Sequence, residues 1–206
     1  VYKRQDDYPN ALLSPDGTVR TLPIGDESAH NIIDSQLWIN QKWLDQLNLQ
    51  TPETPEELKE VLIAFRDQDP NGNGIQDEIP FTFEDAWGWG NTIENVFGAW
   101  GVLENGYHVF TEDGKVTFSA KEQGYYDTLS YLHDLYQEEL IDHDVFTLSE
   151  EQYSSRGAAG DVIGVFAGYG PQNGAGVQNS DDYRALPILK QADGSQMVGI
   201  LSLIHI

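Results

Sequence analysis

The sequence predicts an α/β layered fold, and three observations support that prediction. Short runs rich in β-branched and aromatic residues alternate with longer segments in which apolar residues recur at helical spacing. Turn-forming glycine, proline and asparagine residues separate these segments. No internal repeat or low-complexity tract interrupts the alternation. Strands that alternate with helices along a chain are typical of a sheet covered by helices, which is the α/β class.

The first half of the chain begins with a strand and two helices. Residues 37–39 are predicted as a strand, and Asn40 after them is a good N-cap for a short helix. Thr54-Pro55-Glu56-Glu57 combines a cap, a proline at the first helical position and a glutamate at the third. The second helix is therefore predicted from here to about Asp67. A strand follows at residues 79–83, after a polar loop.

The second half continues the alternation. Residues 91–100 form an amphipathic helix pattern that Gly101 ends. A hairpin is predicted at residues 107–118, where an Asp-Gly turn separates two short strands. Ser119-Ala120-Lys121-Glu122 matches a capping box and is predicted to open the longest helix, which ends near Glu139. The remaining elements are a short helix from Ser149, a buried strand at 161–167, a glycine-rich loop at 168–176 and a strand at 183–189.

Composition narrows the classes of function. The chain has 206 residues, enough for one large domain or parts of two. It carries 11 lysine and arginine residues against 34 aspartate and glutamate residues, a net charge of −23. A nucleic-acid partner is not expected, because binding a polyphosphate requires a basic surface. There is no cysteine, which excludes disulfides, thiolate metal sites and thiol nucleophiles from this sequence.

Residues 69–78 carry the pattern of a calcium-binding loop. Ca²⁺ prefers about six to eight oxygen ligands, and a short loop supplies them by curling around the ion. Oxygen-bearing side chains stand at relative positions 1, 3, 5, 9 and 10, with Gly74 at position 6, where a sharp turn is needed. The expected ligands are the side chains of Asp69, Asn71, Asn73, Asp77 and Glu78 and the backbone carbonyl of Ile75.

This loop departs from the EF-hand pattern in its second half. An EF-hand places a bidentate glutamate at position 12, where this chain has Pro80, so Glu78 is expected to take that role. Residues 79–83 are strand formers, so no exit helix is expected. We therefore predict a calcium loop that is entered from a helix and left by a strand. The alternative is a solvated turn, since Asn-Gly and Asp-Pro pairs are common in turns.

Several short phrases occur together in one order along the chain. They are Leu37-Trp38-Ile39-Asn40, Thr54-Pro55-Glu56-Glu57-Leu58, the calcium loop with Pro80, Gly114-Lys115-Val116, residues 135–142 and Val162-Ile163-Gly164-Val165-Phe166. With these phrases the chain resembles the extracellular solute-binding proteins (family 1) of ABC sugar importers, in the maltose-binding superfamily. It is most similar to the lipoprotein branch of alginate- and oligosaccharide-binding receptors. The resemblance covers residues 6–200, and it implies a structural Ca²⁺ at the six loop positions.

The resemblance also implies a fold and a domain organisation. The expected fold is α/β and periplasmic-binding-protein-like (type II), in which two lobes close over a sugar like a hinged clamp. Residues 1–35 would be the end of lobe one and the hinge crossover, residues 36–190 most of lobe two, and residues 191–206 the return toward the hinge. The chain is expected to be a fragment, with sequencing-adapter artefacts at residues 1–5 and 201–206.

Sugar recognition combines apolar and polar groups, because pyranose rings present C–H faces to aromatic rings and hydroxyl edges to carboxylates and amides. The resemblance places such groups in two loops. One follows the strand at 79–83 and carries an acid shortly before an aromatic, and the other follows the strand at 161–167. The expected sugar-binding residues are Glu84, Asp85, Trp87, Trp89 and Tyr169. For the two tryptophans, packing within the lobe is the alternative.

The preferred hypothesis is a non-enzymatic receptor that binds an oligosaccharide and delivers it to ABC permease membrane subunits. The resemblance implies a monomer that is extracellular and lipid-anchored, or periplasmic. Two alternatives stay open. A glycoside hydrolase also combines acids with aromatics, but no spacing singles out the carboxylate pair that it needs. A calcium-stabilised carbohydrate-adhesion module would use the ion to organise an interaction surface.

Overall fold

The computed structural model describes residues 16, 18, 36–84, 93–105, 107–112 and 115–197. The chain divides into two compact units, Val1–Ile33 with Ile200–Ile206 and Asp34–Gly199. Apart from Asp16 and Thr18, every described residue belongs to the second unit. The assignment of chain segments to two lobes stays a prediction.

A mixed four-stranded sheet forms the centre of the second unit. The strands are β1 (Gln36–Asn40), β2 (Ile79–Thr82), β3 (Val109–Glu112), β4 (Lys115–Phe118), β5 (Ile163–Gly168) and β6 (Tyr183–Ala185). The main sheet has the order β2-β5-β1-β6, while β3 and β4 form the predicted hairpin. Strands β2 and β5 are parallel, and β1 runs antiparallel to both β5 and β6. All residues of β5 are buried, so this strand is the centre of the sheet.

Helices surround the sheet. The α-helices of the described residues are α1 (Gln41–Leu47), α2 (Pro55–Asp67), α3 (Gln123–Gln137), α4 (Glu150–Ala159) and α5 (Pro171–Asn179). The same part of the chain contains 3₁₀ segments at Glu94–Trp100, Ser119–Lys121 and Ser180–Asp182. None of the helices in the described residues is long and apolar enough to cross a membrane.

The predicted starts of α1, α2 and α4 are confirmed by their caps. The Asn40 side chain accepts a hydrogen bond from the Trp43 N–H at 3.1 Å. Thr54 Oγ1 accepts one from the Glu57 N–H at 3.2 Å, and Ser149 forms the predicted capping box. A cap of this kind stabilises a helix by about 1 kcal/mol. The starts of these helices are therefore fixed by side chains of neighbouring residues.

Helices pack on both faces of the sheet. On one face α1, α2 and α3 join strand residues such as Ile39 and Val165 in the main apolar core. On the other face α4 and α5 pack on Phe166 through Tyr153 and Ala175. Because side chains alternate between the faces of a strand, β1 and β5 contribute to both cores. This arrangement confirms the predicted α/β layers.

The predicted glycine-rich loop at residues 168–176 is wrong, because most of this segment is helical. Helix α5 begins at Pro171, whose ring presets the φ angle for the first helical position. Asn173 Oδ1 accepts a hydrogen bond from the Gly170 N–H at 2.8 Å and so caps the helix start. The glycine content of this segment favours a loop, but Pro171 and Asn173 favour the start of a helix, and a helix forms.

Helices α4 and α5 pack very closely, which explains several of these glycines. A Cβ atom built on Gly157 would lie 1.5 Å from the carbonyl oxygen of Gly174. Asn179 Nδ2 donates to the Gly157 carbonyl at 2.8 Å, and Gln178 Nε2 donates to the Ala158 carbonyl at 2.6 Å. The two backbones therefore approach to a distance that no side chain at Gly157 would permit.

Three further elements differ from their predicted form. The segment at 91–100 is a 3₁₀ helix where the structure describes it, although Gly101 ends it as predicted, with φ of 72°. The capping box at Ser119 is wrong, because the Ser119 hydroxyl donates to Glu104 instead and α3 begins four residues later. The final strand is shorter than the predicted 183–189 and ends after three residues.

Candidate functional site

The predicted calcium loop lies between α2 and β2, as the sequence indicates. Gly72 and Gly74 adopt left-handed φ angles of 70° and 74°. Gly74 stands where the calcium pattern requires a sharp turn, and residues with a side chain adopt this conformation at a cost. The loop therefore has the turn that the pattern needs.

Asp69 organises the backbone of this loop. Its Oδ1 accepts a hydrogen bond from the Asn73 N–H at 3.1 Å, and its Oδ2 accepts one from the Gly74 N–H at 3.0 Å. Asn73 Oδ1 in turn accepts a bond from the Ile75 N–H at 2.6 Å. These bonds curl the chain around the Asp69 carboxylate and bring the later side chains back toward it.

The amides of two asparagines face the carboxylate of Asp77. Asn73 Nδ2 lies 3.1 and 3.2 Å from the two Asp77 oxygens, and Asn71 Nδ2 lies 3.2 Å from Oδ1. Amide nitrogens thus balance part of the negative charge of Asp77 at this position. Rotation of each amide by half a turn would present its oxygen, which is the atom that Ca²⁺ binds. In exchange, the loop would give up the bonds that the two amides now make to the Asn73 and Ile75 N–H groups and to the Asp161 carbonyl.

Glu78 is the residue of the loop that most clearly fits a cation. Both of its carboxylate oxygens are buried and have no hydrogen-bond partner among the described residues. Burial raises the pKa of Glu78, and the negative charges of Asp77 and Asp69 add to this effect, while the nearby backbone N–H groups of Glu78 and Asp77 offset part of it. A buried carboxylate is stable in its charged form only when a donor or a cation accompanies it.

Carboxylates alone do not make a metal site here. In the part of the chain that the structure describes, no three His, Cys, Asp or Glu side chains are grouped so that they could hold a metal ion. A calcium shell would also need the oxygens of Asn71 and Asn73 and the Ile75 carbonyl, a mixed oxygen set that Ca²⁺ accepts. The residues present fit such an ion once both amides turn their oxygens inward.

The loop is attached to the edge of the sheet where β2 and β5 begin, which we call the amino edge. Asn71 Nδ2 donates to the backbone carbonyl of Asp161, just before β5, at 3.0 Å. The Asp161 carboxylate accepts a bond from Asn40 Nδ2 at 3.0 Å and pairs with Lys42 Nζ at 2.7 Å. The loop is thereby connected to β1, β5 and α1 together.

Glu84 and Tyr169, two of the predicted sugar-binding residues, lie at the opposite edge. Parallel β2 and β5 pair Thr82 with Phe166. Glu84 lies two residues beyond the end of β2, and Tyr169 directly follows β5. Both positions therefore fall at the edge where β2 and β5 end, which we call the carboxyl edge. Ligands of open α/β sheets bind outside the carboxyl ends of the strands.

The two residues differ in burial. Glu84 is only 2% exposed, whereas Tyr169 is partly exposed. Burial raises the pKa of Tyr153 in α4, and the nearby charge of Glu84 raises it further. A buried carboxylate at this edge is a strong acceptor for a hydroxyl group that reaches it.

The remaining sugar-binding candidates, Asp85, Trp87 and Trp89, lie outside the described residues and stay predictions. Two open cavities of about 410 and 420 Å³ are lined by other residues, the first beside Glu78 and the second around residues 49–61. Support for a sugar site therefore comes from the position of Glu84 and Tyr169 in the sheet.

Two residues that the sequence does not single out hold the end of β5. Tyr153 Oη donates to the Ala167 carbonyl at 2.6 Å, and Trp38 Nε1 donates to the Gly168 carbonyl at 3.0 Å. Their sequence signal is weak. Trp38 stands at core spacing in a strand, and a tyrosine one turn into a capped helix is an ordinary packing residue.

Comparison with known proteins finds similarity to binding proteins. No protein-family model matches it. It is 33% identical over 205 residues to the fructooligosaccharide ABC transporter substrate-binding protein FusA of Streptococcus pneumoniae serotype 4, covering 96% of this chain and 37% of that protein. It is 29% identical over 168 residues to the lipoprotein LipO of Bacillus subtilis, covering 76% of this chain and 33% of that protein. The chain thus spans about a third of the length of these curated relatives.

Solved structures agree with the sequence comparison. The chain is similar to FusA in complex with kestose, with a TM-score of 0.86 and 31% identity over 97% of this chain and 41% of that one. It is also similar to a FusA EF-hand mutant in complex with fructo-nystose, with a TM-score of 0.82, 31% identity and the same coverage. These similarities confirm the predicted α/β, periplasmic-binding-protein-like fold, of which this chain is a part. By sequence and by fold, the chain is similar to a part of the substrate-binding proteins of ABC transporters.

Proposed function

We propose that the complete protein is a receptor that binds an oligosaccharide, delivers it to an ABC importer and does not cleave it. The observation that carries this proposal is the placement of Glu84 and Tyr169 at one edge of the sheet. An acid and an aromatic residue at such an edge are the two kinds of group that a sugar needs. The kestose complex of FusA supports an oligosaccharide as the ligand class.

The ligand that we propose is uncharged. Segments 67–114 and 157–183, which include the ends of β2 and β5, contain no lysine or arginine. The carboxylate of a uronic acid would find no lysine or arginine in these segments to pair with. A neutral oligosaccharide, such as one built from fructose or glucose units, needs no such partner.

The loop at 69–78 is proposed to hold one structural Ca²⁺. Its ligands would be Asp69, Asn71, Asn73, the Ile75 carbonyl, Asp77 and Glu78. When bound, the ion supplies positive charge to three carboxylates and connects the end of α2 to the start of β2. The FusA structure described as an EF-hand mutant supports a cation-binding loop in this group of proteins. Because the loop lies at the amino edge, we expect no contact between the ion and the sugar.

The proposed setting is extracellular and lipid-anchored, or periplasmic. The similarity to LipO supports a lipid anchor in the complete protein. ABC permease membrane subunits would be its partners, and the receptor would be a monomer. In this arrangement residues 36–190 form most of lobe two, residues 1–35 the end of lobe one and the hinge, and residues 191–206 the return toward the hinge.

Calorimetric titration of the complete protein against a panel of oligosaccharides tests the proposal. We expect saturable binding of at least one neutral oligosaccharide, no binding of oligogalacturonate, and no release of smaller sugars over several hours. If only the acidic sugar binds, the proposal of a receptor stands and the proposal of an uncharged ligand is wrong. Cleavage that is abolished by a single Asp or Glu substitution would show a glycoside hydrolase, and binding of no sugar would overturn the receptor.

A further inference from the structure

We propose that Trp38 and Tyr153 are positioning residues for sugar binding, which fix the end of β5 so that Tyr169 meets the ligand in one orientation. This inference rests on the proposed sugar site at the carboxyl edge. Neither residue was expected to serve a site, and neither needs to touch the sugar. Their role would be to hold the backbone from which the sugar-binding side chain projects.

The two side chains hold successive carbonyls of β5 and come from different elements. Tyr153 in α4 is 1% exposed and donates its hydroxyl to the Ala167 carbonyl at 2.6 Å. Trp38 in β1 donates its indole N–H to the Gly168 carbonyl at 3.0 Å. Tyr169 is the next residue in the chain. The backbone is thus held on two sides immediately before Tyr169.

The backbone after Tyr169 is also held by a side chain. Asn173 Oδ1 accepts a hydrogen bond from the Gly170 N–H at 2.8 Å, at the start of α5. Tyr169 therefore lies between two fixed points, Gly168 and Gly170, in a segment of three residues. A residue in such a short, tethered segment has little backbone freedom to lose when a ligand binds.

On one side of β5, pairing within the sheet stops before this end of the strand, whereas on the other side β1 pairs with β5 as far as Gly168. The register of β2 against β5 ends at Thr82 and Phe166, one residue before Ala167. Beyond that pair the hydroxyl of Tyr153 bonds to β5. The buried Tyr153 hydroxyl in α4 thus bonds to β5 directly after the last residue that pairs with β2. This is also the end of β5 that lies nearest to the proposed ligand.

The chain provides a matched control at the other end of the same strand. Tyr183 in β6 is buried, and its hydroxyl donates to the Ile163 carbonyl at 2.5 Å. Asn40 Nδ2 also lies 3.5 Å from this hydroxyl. Tyr153→Phe and Tyr183→Phe therefore each remove a buried bond from a tyrosine to a β5 carbonyl. The two carbonyls lie about 13 Å apart along the strand, and only one of them is near Tyr169.

The experiment compares the variants in the complete protein, with the neutral oligosaccharide that binds best in the panel. Affinity is measured by calorimetry and dissociation by stopped flow, at a temperature where urea titration shows every variant folded. We expect Tyr153→Phe and Trp38→Phe to weaken affinity by roughly five-fold or more, chiefly through faster dissociation. Tyr183→Phe should lose less stability, because Asn40 Nδ2 still donates to the Ile163 carbonyl at 3.3 Å, and it should keep its affinity.

The possible outcomes separate this inference from the proposal beneath it. Tyr169→Ala is the reference variant, and unchanged affinity in that variant would overturn the sugar site at the carboxyl edge. If Tyr169→Ala weakens binding but Tyr153→Phe and Tyr183→Phe affect affinity equally, the positioning role is overturned and the site stands. If Tyr153→Phe does not fold, Trp38→Phe decides alone, because unchanged affinity in it overturns the role.

Discussion

Replacement of Glu78 by glutamine should stabilise the calcium-free protein and destabilise the calcium-loaded one. Without an ion, both carboxylate oxygens are buried and lack a hydrogen-bond partner in the described structure. The charges of Asp77 and Asp69 further oppose ionisation of this group. Glutamine has nearly the same shape and no charge, so the variant removes the repulsion and keeps the volume.

The two effects differ in size as well as in sign. In the ion-free protein, removal of the charge should raise the free energy of unfolding. The expected gain is only about 1 kcal/mol, because the buried amide of the glutamine still lacks hydrogen-bond partners. With calcium at about 100 times the Kd, the ion stabilises the wild type by about 2.7 kcal/mol. If losing one ligand weakens the site about 100-fold, binding then contributes only about 0.4 kcal/mol. In calcium the variant should therefore be about 1 kcal/mol less stable than the wild type.

The raised pKa of Glu78 adds a pH dependence with a defined sign. The ion-free folded state holds this proton more tightly than the unfolded state. The contribution of Glu78 to the stability of the calcium-free wild type is therefore fully present below the ordinary carboxyl pKa and is lost as pH rises through the raised one. Glu78→Gln should lack this contribution.

Urea unfolding in excess EDTA and in excess Ca²⁺ measures both effects. Gln76→Ala is the matched control, since this exposed neighbour is not an expected ligand and should change neither curve. A Glu78→Gln effect of the same sign in both buffers would refute the role of this carboxylate. If the wild type unfolds identically in EDTA and in calcium, the loop does not bind a stabilising Ca²⁺ ion.

Other substitutions test packing, strain and binding. Gly157→Ala should cost about 3 kcal/mol, because its Cβ would lie 1.5 Å from a backbone oxygen of α5, and urea unfolding measures the loss. A Cβ atom at Gly74 would meet no other atom, so Gly74→Ala should cost only about 1 kcal/mol, from the left-handed φ that alanine disfavours. Equal losses of stability in the two variants would contradict the packing argument. Trp87→Ala and Tyr169→Ala should each weaken sugar binding by about 1–3 kcal/mol with little change in Tm, as titration beside thermal melts can show. Asp69→Ala should lower Tm as chelation does, whereas an unchanged Tm in calcium would argue for a solvated turn.

Features with a local cause could be predicted from the sequence. The caps at Asn40, Thr54 and Ser149 need only a few neighbouring residues, and all three form as expected. The turn at Gly74 likewise follows from the spacing of the loop. The capping box at Ser119 failed because Glu104, fifteen residues away, takes its hydroxyl.

Features with a distant cause could not be predicted in this way. Asn71 bonds to Asp161, 90 positions further along the chain, and no spacing rule anticipates that attachment. The close approach of Gly157 to Gly174 likewise depends on how two helices meet. The common edge of Glu84 and Tyr169 depends on parallel pairing of β2 with β5, which appears only in the folded sheet. Resemblance to a known family supplied these two residues before the geometry was known.

The separation of the two edges has a practical consequence. Strand β5 has six residues, so about 20 Å of buried backbone lies between the loop at one end and Tyr169 at the other. Redesign of residues 69–78 would then change the temperature that the protein tolerates and leave its choice of sugar intact. A biosensor built on this scaffold could be adjusted for shelf life at one edge and for analyte at the other.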